Sequence, residues 1–385
     1  MKKLSILAAI AVLFFTVGCK DNTTTPDVND NPTGLKINTP GSLENVNEAD
    51  IDEDGFSLPA SFVLNGPPII NQGETSKCVA FSGGYYIISM YNGVTSTDLS
   101  KSGSPDFLYG QYKKVNKDAD CADGCFLFSD ASTGIVGAAE ILKQYGTTSW
   151  TDMPFVNANA CPIVTTALVT QAESNKIKGY YRLDKTEFTK VEELKSWIYA
   201  GYPLFFGVNI DQGFQDLKSG DVYSAKSGKS YGGHAMVCVG FDDAKKAFKI
   251  ANSWGADWAT NGFTWIDYTF FTKLLAEGTP EIGILTPNAA QRINMGKVSP
   301  ISCGNANWGD ILIKNNRNEE IAVEMTGTNY TNDDARNIDA KEMQLFAKAP
   351  KGDIKVRILT SNKATLIKEY TVTVASCNEV VLDVN

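Results

Sequence analysis

The run Ala235-Met236-Val237-Cys238-Val239-Gly240-Phe241, entered through Gly232-Gly233-His234, constrains this chain more than any other stretch. Seven residues are short for a helix, and the run has no polar side to turn toward water, so it reads as a buried strand. Pro203 to Val208 reads the same way. Val79 to Tyr91 and Gly134 to Gln144 instead repeat apolar residues at helical spacing. Strands and helices therefore share one region from Phe56 to about residue 290, an α+β arrangement. Hydrophobic residues make up 43% of the 385 and charged residues 21%, enough to build a sizeable core. That length predicts two or three domains.

The texture changes on both sides of this region. From about Val298, Ile354, Val356 and Ile358 alternate with Lys355 and Arg357, and Tyr370, Val372 and Val374 alternate with Thr371 and Thr373. Turn clusters at Asn315-Asn316-Arg317-Asn318 and Pro350-Lys351-Gly352-Asp353 separate such stretches. The pattern predicts a small all-β sandwich over 298–385. On the other side, 20–55 is rich in Asn, Thr, Asp and Pro. Too little apolar surface is available there to offset the entropy of ordering, so it is expected to be a disordered acidic tether. Residues 21–60 hold nine acidic residues against Lys36 alone, a net charge of −8 within a chain total of −9. That balance excludes nucleic acid as the main partner, because phosphate binding needs a basic face. No internal repeat is present.

Residues 1–19 read as an export signal. Met1-Lys2-Lys3 supplies positive charge, and Leu4 to Val17 is an apolar run of about 14 residues, short of the roughly 20 that span a bilayer. Thr16-Val17-Gly18-Cys19 resembles a bacterial lipoprotein signal in which Cys19 becomes the lipidated residue, although Thr16 departs from the usual leucine. The expectation is an exported protein anchored by lipid to the bacterial cell envelope, at the outer membrane or cell surface. The alternative is a plain secretory signal with an incidental cysteine.

Eight cysteines stand at 19, 78, 121, 125, 161, 238, 303 and 377. Without Cys19 the remainder is odd, which in an exported protein points to a free, reactive thiol. Cys303 and Cys377 flank the C-terminal strands. Joined, they would close a 74-residue loop and contribute about 4 kcal/mol in the chain-entropy model. Cys121, Cys125 and Cys161 offer one further pair, such as Cys121 with Cys161. Cys238 lies inside the apolar run and is expected to be a buried thiol. No second cysteine pair or nearby histidine supports a metal at Cys121-x3-Cys125, so neither metal nor cofactor is expected.

Cys78 stands where a polar loop, Asn71-Gln72-Gly73-Glu74-Thr75-Ser76-Lys77, runs into a helix. The positive end of the helix dipole favours a thiolate there. Gln72, six residues upstream, can turn its amide toward an oxyanion. His234 is the only histidine, hence the only imidazole base available near neutral pH. Asn252 follows 18 residues later in Ala251-Asn252-Ser253-Trp254-Gly255, with Trp258 and Asn261-Gly262 beyond. Taken singly, each of these residues is more commonly structural.

In order, however, they resemble the papain family of cysteine peptidases. That family has a glutamine six residues before its cysteine, Ala-Phe-Ser on the following helix (here Ala80-Phe81-Ser82), a histidine before a buried strand, and Asn-Ser-Trp-Gly. The resemblance covers about residues 58–285 and implies a two-lobed catalytic domain over 56–290, with a helical lobe and a β-barrel-like lobe. It also implies roles. Cys78 is the nucleophile and His234 its base, Asn252 orients the imidazole, and Gln72 with the Cys78 N–H forms the oxyanion hole. Trp254 shields the histidine, and Gly233 and Gly134 flank the substrate groove. The implied activity is peptide-bond hydrolysis through a thioester, on a peptide or protein substrate, by a monomer. Amide hydrolysis in cell-wall peptides, acyl transfer to an amine, or a catalytically inactive binding protein would use the same scaffold.

Departures from the family are specific. Thr75 replaces the cysteine three residues before the nucleophile, so one family disulfide is missing. Ser76, Lys77 and Val79 replace a glycine, the residue directly before the nucleophile and a tryptophan. Phe126-Leu127-Phe128 replaces paired glycines of the groove, and Gly233 replaces a common polar residue. The family's longer helical prosegment does not fit between Cys19 and Leu58. The enzyme is therefore expected to act without zymogen cleavage, or to be restrained by a partner.

Overall fold

The computed structural model describes residues 31–33, 35, 50–51, 57–96, 98–115, 134–157, 162–183, 190–277, 281–287, 298–299, 308–327, 330–331, 336–340, 343–375 and 379–385. The signal segment, Cys19, most of the tether, Cys121, Cys125, Cys161, Cys303, Cys377 and Phe126-Leu127-Phe128 lie outside the described residues, and the lipidation and disulfide expectations lie there with them.

The apolar runs become the centre of an eight-stranded sheet. Its strands are β1 (Ser61–Val63), β2 (Ile177–Arg182), β3 (Leu204–Asp211), β4 (Val222–Tyr223), β5 (Ser230–Asp242), β6 (Ala247–Ala251), β7 (Phe263–Asp267) and β8 (Glu281–Pro287). The order is β2-β8-β3-β5-β6-β7-β4, with β1 added along β5. The expectation for this half was barrel-like. The observed sheet is open, with β2 at one end of the strand order and β4 at the other.

Strand parity explains why residues 204–208 of β3 and 235–241 of β5 are apolar throughout. Phe205, Ala235, Val237 and Val239 point into one core, while Leu204, Phe206, Val208, Met236 and Cys238 point into another. A strand covered on both faces cannot alternate apolar with polar residues. The first core is closed by three helices: α1 (78–91), α2 (Pro105–Val115) and α3 (Gly134–Gln144). The second is closed by α4 (Val191–Tyr199) and α5 (Tyr268–Ala276). Each fully buried Phe, Leu or Ile in these layers contributes about 2 kcal/mol of burial free energy.

Helix α1 opens at Cys78–Ala80, runs with π geometry through Phe81–Ile87 and ends at Ile88–Tyr91. Such i→i+5 stretches are rare and concentrate at functional sites. The helix is buried nearly all round, as its lack of charge requires. A β-carbon at Gly83 would lie 3.0 Å from the Phe205 ring, so glycine lets α1 press onto β3.

The C-terminal residues form two further sheets. One has the order β13 (Met343–Pro350), β9 (Trp308–Asn315), β16 (Glu379–Val384). The other has the order β11 (Tyr330–Thr331), β10 (Ile321–Gly327), β14 (Gly352–Thr360), β15 (Leu366–Val374), with β12 (Arg336–Ile338) also on β10. Ile311, Ile313 and Val384 from the first meet Val323, Val356, Ile358 and Val374 from the second in one apolar core. Lys355 and Arg357 alternate outward and pair across strands with Glu369 and with Glu324 and Glu369.

Candidate active site

The two cores meet at α1 and β5. Ser82, one helical turn after Cys78, donates its hydroxyl to the carbonyl of Ala235, the residue after His234, at 3.0 Å. One side-chain hydrogen bond thus ties the helix headed by Cys78 to the strand that carries His234.

His234 lies in β5 behind Gly232, whose φ of +86° admits few residues other than glycine. Its Nε2 lies 2.7 Å from Asn252 Oδ1. That oxygen also accepts the Ser253 N–H at 2.7 Å, which fixes the amide orientation. An amide oxygen can only accept, so Nε2 carries the proton and Nδ1 of the neutral ring holds the lone pair. Nδ1 is buried and has no hydrogen-bond partner among the described residues. Trp254 stacks on the imidazole with centroids 4.7 Å apart and planes at 26°. Burial pushes the His234 pKa down to about 4, partly opposed by the Asn252 hydrogen bond.

Gln72 is held from several directions. Its N–H donates to Ser253 O at 2.8 Å, beside an antiparallel bridge between Asn71 and Trp254. Its Oε1 accepts from Ser253 Oγ at 2.5 Å. Its Nε2 donates to Thr75 O at 2.6 Å, and Thr75 Oγ1 returns a bond to Gln72 O at 2.6 Å. A carboxamide nitrogen has two hydrogens, so one remains for a ligand. The turn itself needs Gly73: φ is +62°, and a β-carbon there would fall 1.8 Å from Asn157 Oδ1.

Lys77, directly before Cys78, is buried, and its ammonium lies 2.7 Å from the equally buried Asp106 of α2. Burial lowers the pKa of Lys77 and raises that of Asp106, and each charge opposes the shift of the other.

The polar leading segment departs from its expectation. At residues 31–33 and 35 it is ordered across this site rather than free. The Leu35 N–H donates to Gly233 O at 3.0 Å in an antiparallel bridge, and Trp254 Nε1 donates to Pro32 O at 3.0 Å. Thr33 Oγ1 donates to Tyr231 O at 2.9 Å. Asn31 and Gln215 exchange three hydrogen bonds of 2.8 to 3.1 Å. Leu35 is buried in the same core as Cys78. Cys78 and His234 are both 0% exposed.

Of the residues singled out from sequence, the structure clusters Gln72, Gly233, His234, Asn252 and Trp254, with Cys78 at the head of the adjoining helix. Gly134 opens α3 and is buried, and no hydrogen bond among the described residues joins it to this cluster. Cys238 is a buried, reduced thiol whose pKa burial pushes far up, matching its sequence reading. Ser253, Asp106 and Leu35 were not singled out. Ser253 stood inside the quoted motif, Asp106 carries no local signal, and Leu35 is one of few large apolar residues in its segment. Among the described residues no group of His, Cys, Asp and Glu could hold a metal ion, and no helix is long and apolar enough to cross a membrane.

Comparison with known proteins gives the family and the fold. Residues 67–273 match the family model for papain family cysteine proteases, and the chain belongs to that family. An uncharacterized peptidase C1-like protein of Acanthamoeba polyphaga mimivirus is 35% identical over 26% of this chain and 35% of its own length. Gamete and mating-type specific protein A of Dictyostelium discoideum is 28% identical over 51% of this chain and 39% of its own. The matched stretches thus span little more than a third of these relatives. Among solved structures, xylellain, a cysteine protease from Xylella fastidiosa, superposes with a TM-score of 0.51 at 18% identity, over 68% of this chain and 99% of that one. That likeness concerns the fold, an α+β arrangement of the papain type.

Proposed function

We propose that this peptidase hydrolyses peptide bonds through Cys78, His234, Asn252 and Gln72. The Cys78 thiolate attacks the scissile carbonyl carbon, and the carbonyl electron pair moves onto oxygen. The Cys78 N–H and the remaining Gln72 Nε2–H hold that oxyanion. His234, protonated at Nδ1 by the thiol, passes this proton to the leaving nitrogen as the C–N bond breaks, giving a thioester and a free amine. Nδ1 then takes a proton from water, whose oxygen attacks the thioester. The carboxylate departs and the thiol is restored. Asn252 keeps Nε2 protonated throughout, and Trp254 keeps water from the Nε2–Oδ1 contact.

The 2.7 Å contact between His234 Nε2 and Asn252 Oδ1 carries this reading, because it leaves Nδ1 as the basic atom. A peptide-amide substrate tests it. Wild type is expected to release amine with Cys78 acylated, while Cys78→Ala is inactive. Turnover retained in Cys78→Ala would remove the reading. A product formed only when an amine acceptor is supplied would favour acyl transfer. The export signal and Cys19 support placement of the enzyme on a bacterial envelope membrane through an N-terminal lipid, with the acidic segment between anchor and catalytic domain.

A further inference from the structure

The peptide that joins Lys77 to Cys78 carries the N–H assigned above to the oxyanion hole, so whatever fixes Lys77 fixes that donor. Lys77 caps α1 with φ −99° and ψ 20°, and no side chain closes the cap. Its carbonyl accepts the Phe81 N–H at 2.9 Å, which starts the helix. Its side chain turns inward to Asp106 at 2.7 Å, both ends 1% exposed. The ammonium lies 5.2 Å above the rings of Tyr109 and of Phe155. The second oxygen of Asp106 accepts the Val156 N–H at 3.2 Å, and the next residue, Asn157, accepts the Glu74 N–H at 3.0 Å. Three separate stretches of chain, the loop before Cys78, the first turn of α2 and residues 155–157, therefore converge on one buried charge pair.

We propose that the Lys77–Asp106 pair is a positioning device for the nucleophile: it holds the Lys77–Cys78 peptide, and with it the oxyanion donor and Sγ, in register with His234. Neither residue touches the substrate. Their effect is on the geometry of the reacting groups, where a displacement of about 1 Å can cost on the order of 100-fold in rate. The inference rests on the reading of Cys78 as nucleophile.

The test is the full chain carrying Lys77→Met together with Asp106→Leu. Replacing both partners by apolar residues of similar volume leaves no unpaired charge and commonly preserves folding. With the pair as a positioning device, the folded double variant loses about tenfold or more in kcat for a peptide amide, with KM changed less than about twofold. Lys77→Arg, which keeps the charge pair, stays within about threefold of wild type. A double variant with wild-type thermal midpoint and wild-type kcat overturns the proposal, as does equal damage from Lys77→Arg. Should the double variant not fold, Asp106→Asn is read by the same split: reduced kcat at constant KM supports the proposal, and unchanged kcat overturns it. Cys78→Ala is run in parallel. If it matches wild type, the cysteine reading itself fails and the proposal falls with it; if only the pair variants match wild type, the cysteine reading stands.

Discussion

His234 is placed under opposing demands. As a base it needs access to a proton donor, yet full burial lowers its pKa to about 4 from an ordinary 6.5 against the opposing Asn252 hydrogen bond. Between those values the unfolded chain binds a proton that the folded chain refuses. The stability contributed by neutral His234 is therefore complete above pH 6.5 and is lost as pH falls toward 4. A loss on the order of 3 kcal/mol is expected over that window. Urea denaturation of wild type and His234→Gln checks it: the difference between their pH profiles between 6.5 and 4 isolates the imidazole from the carboxylates, and parallel profiles would contradict it. Gln72 carries a second residue-scale expectation. Gln72→Ala removes one oxyanion donor and lowers kcat by about 100-fold with the fold intact, measured by steady-state kinetics beside a thermal melt. Gln72 is held by Thr75 of its own loop and by Ser253, 181 positions away. Gln72, Cys78, His234 and Asn252 could be singled out in sequence because each sits in a short ordered motif, and the structure brings Gln72, His234 and Asn252 together around Ser253. The Ser253 hydroxyl bond and the Asp106 partner could not be singled out, because nothing local encodes a contact across such separations.

Among the elements, two buried strands and two helices of the catalytic region, at 203–208, 235–241, 79–91 and 134–144, were legible from periodicity. Uninterrupted apolar residues at 204–208 and 235–241 could only be covered on both faces, and the parity of Phe205 against Phe206 shows how. The π geometry inside α1 was not legible, since Phe81–Ile87 has the spacing of an ordinary helix. Nor was the behaviour of 31–35. Composition there argues for disorder, but a polar segment can order when its backbone and side chains find fixed partners, here Gly233, Trp254, Tyr231 and Gln215. Sequence alone leads to an enzyme that acts without zymogen cleavage or is restrained by a partner, and the contacts of 31–33 and 35 beside His234 make control of access a point to test. Leu35→Asp places a charge in the apolar seat and favours the displaced state. Alkylation of Cys78 and kcat/KM for a peptide amide are both expected to rise, by about tenfold or more. Rates equal to wild type would show that 31–35 does not control access.

At the scale of the whole molecule, an acidic leading segment, a catalytic domain and a C-terminal pair of sheets share one chain. The C-terminal strands were legible from alternation, as Ile354, Val356 and Ile358 face inward while Lys355 and Arg357 pair outside. If Cys19 bears the proposed lipid, Cys19→Ala moves the protein from the membrane fraction to the soluble fraction after export. Fractionation of the producing cells checks this, and unchanged partitioning would count against the anchor. The account as a whole stands on Cys78 acting as a nucleophile with His234. The most direct measurement exposes the full chain to an irreversible peptidyl thiol inhibitor and locates the adduct by peptide mass spectrometry. One adduct at Cys78, none at buried Cys238, and loss of hydrolysis in step with labelling are predicted, with labelling strongly slowed in His234→Ala. A folded chain that hydrolyses peptides while Cys78 stays unlabelled would contradict it.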